Sequence, residues 1–138
     1  MIQASVTGTL PSAENLDLAP AMALCARRML DSIRQNFVAG GRPAAWLPLK
    51  KGGPSHLFQG GALLNSISAF SGPTWAQAQT GALPYAAIHQ FSGWAGRGHK
   101  SFIPARPYMM FQPEDIEYIR HTIGWHIVSF MNAHQEAI

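Results

Sequence analysis

Pro84-Tyr85-Ala86-Ala87-Ile88-His89-Gln90-Phe91-Ser92-Gly93, then a loop from Trp94 to Phe102, then Ile103-Pro104-Ala105-Arg106-Pro107-Tyr108, is the stretch around which the chain turns. Pro84 can open a helical turn, because its missing N–H would be unpaired there and its ring presets the helical dihedral. Tyr85, Ile88 and Phe91 recur every three residues, which predicts one or two turns with those side chains along one apolar side. Gly93 supplies a left-handed stop. After the loop, Pro104 and Pro107 bracket Arg106 and hold it extended, since the residue before a proline is pushed out of the helical region. Arg106 and Tyr85 are therefore expected as structural anchors.

Outward from this hinge the pattern is simpler. Towards the N-terminus, Met22, Ala26, Met29, Leu30, Ile33 and Phe37 are spaced as on one face of a helix from about Asp17 to Phe37. Arg27, Arg28, Asp31 and Arg34 fall mainly on its other face. Gly40 and Gly41 end it, and Pro43 keeps it ended. Met1 to Ser12 reads as a flexible arm broken by Gly8 and Pro11. Residues 40 to 62 read as an irregular connection anchored by Trp46 and Leu49. Ser66 to Phe70 and Trp75 to Gln79 then alternate about Ser71-Gly72-Pro73, which predicts an antiparallel hairpin. Tyr108 to Phe111 is a further candidate strand. Beyond it, Pro113 at the first helical position, with Glu114 and Asp115 in the first turn, opens a second long helix. Ile116, Ile119, Ile123, Ile127 and Phe130 form its apolar stripe. Gly124 inside it costs about 1 kcal/mol against Ala, a cost tolerated where another backbone approaches closely. The expected fold is α+β: a small antiparallel sheet with two long helices packed on one face, plus a short helix and a projecting loop.

At 138 residues the chain is one domain. Charged residues are 12% against an ordinary ~25%, while 47% are hydrophobic. With four Trp and seven Phe, that balance points to apolar surface covered by neighbours. The net charge of +3 is dispersed rather than clustered, so nucleic acid is at most an indirect partner. The alternative, a basic nucleic-acid-binding accessory protein, would use Arg27, Arg28, Arg34, Arg42, Lys50 and Lys51. A single cysteine, Cys25, excludes an internal disulfide. No apolar run approaches the ~20 residues of a membrane span and none resembles a leader, so a cytoplasmic product is expected.

Catalytic chemistry finds no footing in the residues. Six histidines are present, but none lies four residues from another, the spacing that brings two helical nitrogens to one ion. Cys25 falls between Met22 and Met29 on the apolar side of its helix, where burial raises a thiol pKa rather than lowering it, and reads as a packed core cysteine. Gly93-Trp94-Ala95-Gly96-Arg97-Gly98 has the look of a nucleotide loop but follows a helix rather than a strand. No enzyme activity, metal or cofactor is expected. The loop itself carries Trp94, Arg97, His99, Lys100 and Phe102 among glycines; Trp and Arg are over-represented among residues that carry interface energy. It is the candidate assembly surface.

PYAAIHQFSG followed by IPARPY resembles the signature of the phage virion morphogenesis family, the tail-completion or neck proteins of Mu-like tailed phages and prophages. The residues carrying it are Pro84, Tyr85, His89, Gln90, Phe91, Gly93, Ile103, Pro104, Arg106 and Pro107. Asn36 to Pro43 with Trp46-Leu47-Pro48-Leu49-Lys50 is similar to that family's "F..GG.P..W.PLK". Leu57-Phe58-Gln59 with Leu63 to Ile67 is similar to its "LQ.TG.L..SI", although Gly60-Gly61-Ala62 stands at the turn where Thr-Gly-Arg is usual. The resemblance implies a structural virion protein that acts in tail completion or head–tail (neck) assembly. Its implied partners are copies of itself in a ring, of which a hexamer is one form, and other neck or tail proteins. The implied location is the host cytoplasm during assembly and then the virion.

Overall fold

A computed structural model describes residues 12–57 and 61–135. Most of the expected N-terminal arm and the Phe58-Gln59-Gly60 turn lie outside the described residues. The chain runs through helix α1 (Ala19–Ala39), a short helix α2 (Ala62–Ser66), strands β1 (Ser68–Ser71) and β2 (Ala76–Gln79), helix α3 (Ala86–Phe91), strands β3 (Gly93–Ala95) and β4 (Ser101–Ile103), and helix α4 (Pro113–Gln135). The α+β class stands. The strands, however, divide into two separate antiparallel pairs, β1–β2 and β3–β4, rather than forming one sheet.

Helix α1 is the central element. It packs on the β1–β2 hairpin and also against α4, so it lies between them. Asp17 Oδ1 accepts from the Ala19 N–H at 3.0 Å at its start, and Pro20 sits in its first turn. Its end is a Schellman arrangement: the Gly40 N–H donates to the Phe37 carbonyl and the Gly41 N–H to the Asn36 carbonyl, with Gly40 in the left-handed region at φ 69°. Gly41 has φ 110°, and a Cβ there would lie 2.7 Å from the Ala44 carbonyl oxygen and from Trp46 atoms. Both the dihedral and the space require glycine. The Arg42–Pro43 peptide that follows is cis.

The apolar core gathers Ile33 and Phe37 of α1, Trp46, Leu63, Ile67, Ala86 and Tyr108. Phe37 lies at its centre, with the Trp46 ring edge-on at 5.8 Å and the Tyr108 ring at 5.4 Å. Trp46 is thus the expected anchor, but Leu49 is exposed; Leu63 of the unanticipated helix α2 fills the core instead. Cys25 is buried, and that burial pushes its thiol pKa up. The first hairpin pairs Ser68 with Gln79 through Ser71 with Ala76, and Ala76 and Ala78 face inward as their alternation predicts. Residues 108 to 111 are irregular rather than a strand, because their backbone groups bond to side chains of other elements instead of to a neighbouring strand.

Helix α4 departs most from a simple amphipathic reading. Ile119, Ile123, Ile127 and Phe130 are half-buried and Ile116 is exposed, so its apolar stripe is only partly covered. Among the described residues, no α4 side chain belongs to the core cluster. The reason is topological: α1 alone separates α4 from the strands, so α4 is a second layer on one helix instead of a lid on a sheet.

Candidate functional site

The segment Pro104 to Gln112 has no regular structure, yet it is fixed by polar contacts from four directions. The Arg106 N–H donates to the His89 carbonyl at 2.7 Å, and the buried Arg106 side chain donates through Nε to the Leu47 carbonyl (2.9 Å) and through a terminal nitrogen to that of Pro48 (3.1 Å). Gln90 Oε1 accepts from the N–H groups of both Tyr108 and Met109. Tyr108 O–H donates to the Ala86 carbonyl at 2.9 Å. Asn36 Nδ2 donates to the carbonyls of Tyr108 and Met110, and Trp46 Nε1 to that of Pro107. Buried backbone groups without a strand partner need such side-chain partners. Gln90 and Arg106 therefore serve to lock the chain around α3.

A second polar cluster extends this lock to α4. Asp115 accepts from Arg28 Nε at 2.8 Å, from the Gln112 N–H at 2.8 Å and from the Ser32 hydroxyl. Arg42 donates from Nε to Asn36 Oδ1 and from a terminal nitrogen to the Ser32 carbonyl and hydroxyl, while Gln112 Nε2 donates to the Arg42 carbonyl. Burial by itself would raise the Asp115 pKa, but the bonds from Ser32, Gln112 and Arg28 outweigh it and hold the carboxyl below its ordinary value. Asp115 is the third residue of its helix, and its bond to Gln112 is the return half of a capping box. The sequence marks it only as an acidic helix start; Asn36, Ser32, Arg42 and Gln112 carry no sequence signal of their role. Arg28 and Arg42 are bound here, which removes them from any basic patch with Arg27, Arg34, Lys50 and Lys51.

Around α3 the structure corrects the expected face. Phe91 is 76% exposed and Tyr85 is exposed too, whereas Ala86 is buried and His89 and Gln90 are half-buried. The anchoring aromatic is Tyr108, not Tyr85. The helix is stopped by Ser92, which takes a positive φ of 75°, while Gly93 already begins β3. Pro84 lies in the turn ahead of the helix. Tyr85, His89 and Arg106 edge a groove of about 930 Å³ whose rim carries Lys50 and Lys51 and whose floor includes Leu63 and Ile103. Burial, then the Arg106 charge, lowers the His89 pKa and so disfavours the imidazolium; its Nδ1 is buried with no hydrogen-bond partner among the described residues. No carboxylate lines the groove among the described residues, so its field favours anionic groups over metal cations.

The stretch from Trp94 to Phe102 is a hairpin in its own right, not a loop without regular structure. Gly93 pairs with Ile103, Trp94 with Phe102 and Ala95 with Ser101. Gly96 and Gly98, both at positive φ, allow the tight 3-10 turn Arg97–His99 at its tip. Directly opposed Trp94 and Phe102 stack edge to face at 5.4 Å on the outer side, yet they are 60% and 45% exposed. Arg97, His99 and Lys100 stand exposed beyond them. The hairpin packs against α3, whose own position is fixed by Gln90, Arg106 and Tyr108. The motif residues form the mount, and the aromatic pair with its cationic tip is what is mounted.

Among the described residues, no group of three His, Cys, Asp or Glu side chains is placed to hold a metal ion, and no helix is long and apolar enough to cross a membrane. No solved structure matches the chain significantly. One curated protein, "Mu-like prophage FluMu G protein 2" of Haemophilus influenzae, is 44% identical over 97 residues, spanning 70% of this chain and 69% of that protein. A sequence profile for the phage virion morphogenesis family matches residues 4–127. That match takes in the buried lock around Arg106 and Tyr108 as well as the exposed hairpin, and on it the chain belongs to the phage virion morphogenesis family.

Proposed function

We propose that this protein is a structural, non-catalytic component of tail completion or head–tail joining, and that it works as a ring of identical subunits contacting other neck or tail proteins. It would assemble in the host cytoplasm and remain in the virion. A role in phage virion assembly follows from family membership. The observation that supports the finer reading is the exposed Trp94–Phe102 pair. Two stacked aromatics left in water on a rigidly mounted hairpin are a poor use of apolar surface for a protomer and a good one for an interface. The mechanism is geometric: the polar lock around residues 104–112 fixes the hairpin's position, so docking loses little conformational freedom.

Sedimentation of the purified full chain tests this. The protomer is 15.0 kDa; the reading expects a species several times heavier, reduced to protomer mass by Trp94→Ala with Phe102→Ala at an unchanged melting temperature. A protomer at every concentration, or an assembly indifferent to the double substitution, counts against it.

A further inference from the structure

The outer face of α4 carries a second exposed stripe, with Tyr118, Trp125 and Val128 as its apolar members, that the core does not use; Arg28 of α1 reaches only its near end, over the Tyr118 ring at 4.9 Å. Glu114, Tyr118, His121, Trp125 and Val128 are all exposed and spaced 4, 3, 4 and 3. That repeat places them along one line of a helix and is the spacing of a packing seam. Trp125 and Val128 are 64% and 54% exposed. Beside them a Cβ on Gly124 would meet nothing within 4 Å among the described residues, so no contact among them accounts for a glycine in mid-helix.

Resting on the ring reading above, we propose that the α4 outer face is the acceptor for the β3–β4 hairpin of a second copy of this chain. The two surfaces belong to different parts of the protomer, since the hairpin packs on α3 and α4 packs on α1. A contact between two different patches is head-to-tail, the type that closes into rings. Charge selects the acceptor. Among the described residues, Arg97 and Lys100 at the hairpin tip have no carboxylate partner. Of the exposed carboxylates among the described residues, Glu14 stands alone in the turn before α1, Asp17 accepts from the Ala19 N–H and Asp31 lies between Arg27 and Arg34 on one helix face, whereas Glu114 and Glu117 stand one turn apart as a pair at the start of the stripe. Arg120 meets Glu117 at 3.1 Å, but both are exposed, and such pairs are weak enough to exchange. The dimensions agree as well. Arg97 lies three residues beyond Trp94 along the hairpin, at most about 10 Å, and Glu117 lies eight residues, roughly 12 Å, from Trp125 along α4. With the tip at Glu114 and Glu117, the Trp94–Phe102 pair reaches Gly124 and Trp125, where the missing Cβ leaves room for it.

Charge exchange within one chain tests the pairing. Sedimentation is run on the wild type, on Arg97→Glu with Lys100→Glu, on Glu114→Lys with Glu117→Lys, and on all four changes together. Each double variant should assemble at least about tenfold more weakly, and the fourfold variant should recover. Because charge reversal in the first turn of α4 also acts on folding, a photo-cross-linking phenylalanine analogue is placed at Phe102 in the otherwise wild-type chain. Mass spectrometry should find its adducts on residues 111–128 of another copy. If the tip variant fails to assemble, the helix variant behaves as wild type and cross-links fall elsewhere, the acceptor is wrong while the ring reading survives. Adducts joining one Trp125-bearing helix to another, with no recovery in the fourfold variant, would replace this contact by a symmetric α4–α4 one. A wild type that stays at protomer mass overturns both.

Discussion

Asp115 is the place to test the polar lock, because three donors converge on its carboxylate and two of them have no other outlet. Asp115→Ala leaves the Ser32 hydroxyl and the Gln112 N–H buried without an acceptor. Each unsatisfied buried donor costs about 1–3 kcal/mol, so the loss should be about 4 kcal/mol. Arg28 adds little, since its side chain is one-third exposed and can return to water. Against a total of about 5–15 kcal/mol for a domain, that is a large fraction. Urea denaturation followed by tryptophan fluorescence should show the midpoint falling by about 2 M, taking a slope of about 2 kcal/mol/M. Asp115→Asn keeps the shape and an acceptor but not the charge, and its deficit should depend on pH. The folded-state pKa of Asp115 lies below its unfolded value. Its contribution is therefore complete above about pH 4, the unfolded value, and is lost as pH falls through the lower folded value. The wild type and Asp115→Asn should differ at pH 7 and converge in that acid window. His89 also disfavours protonation on folding, but it is common to both proteins and cancels in the comparison. A midpoint shift under about 0.25 M for Asp115→Ala, equivalent to about 0.5 kcal/mol at that slope, would refute the reasoning.

Gly41→Ala should destabilise by about 3 kcal/mol or more, because it combines an unfavourable dihedral with overlap against Trp46 and the Ala44 carbonyl; a normal thermal transition would show that this turn relaxes freely. Ser92→Gly should do the opposite. At φ 75° and ψ 167°, Ser92 occupies a region suited to glycine, and relief of about 1–3 kcal/mol of strain exceeds the roughly 0.5–1 kcal/mol of added chain entropy, so the melting temperature should rise. Ile119→Ala and Ile123→Ala should each cost about 1–2 kcal/mol, less than the 2–5 kcal/mol of a fully buried site, because α1 covers them only in part. Arg120→Ala should stay within about 0.5 kcal/mol, and equal denaturation midpoints for these three variants would mean that the wrong face of α4 has been assigned to α1.

Both long helices are legible in the sequence, because three- and four-residue spacing over five turns, a proline start and a double-glycine end are local signals. So is the first hairpin, whose Ser71-Gly72-Pro73 link and alternating alanines need no distant partner. The second hairpin is concealed by its glycines: Gly96 and Gly98 read as a loop without regular structure, yet they permit the turn that brings Trp94 opposite Phe102. The face of α3 misleads for a different reason. Tyr85, Ile88 and Phe91 look like a core stripe, but the helix is held by the polar reach of Gln90 and by its own Ala86 carbonyl, and Phe91 is left in solvent. The lock around Asp115 was not legible at all, since Arg28, Ser32 and Asp115 meet across more than 80 residues of chain. As separate residues they resemble a solvated helix face and a helix start.

The central claim is that the hairpin aromatics serve virion assembly and not the protomer's own stability. The most direct measurement is the infectious yield of a phage deleted for this gene and complemented from a plasmid, with the particles viewed by electron microscopy. Wild-type complementation should restore complete, infectious particles. Trp94→Ala with Phe102→Ala, present at wild-type level and with a wild-type melting temperature, should leave heads and tails unjoined or tails incomplete. Full infectious yield with the double variant, or with no complementation at all, would contradict it.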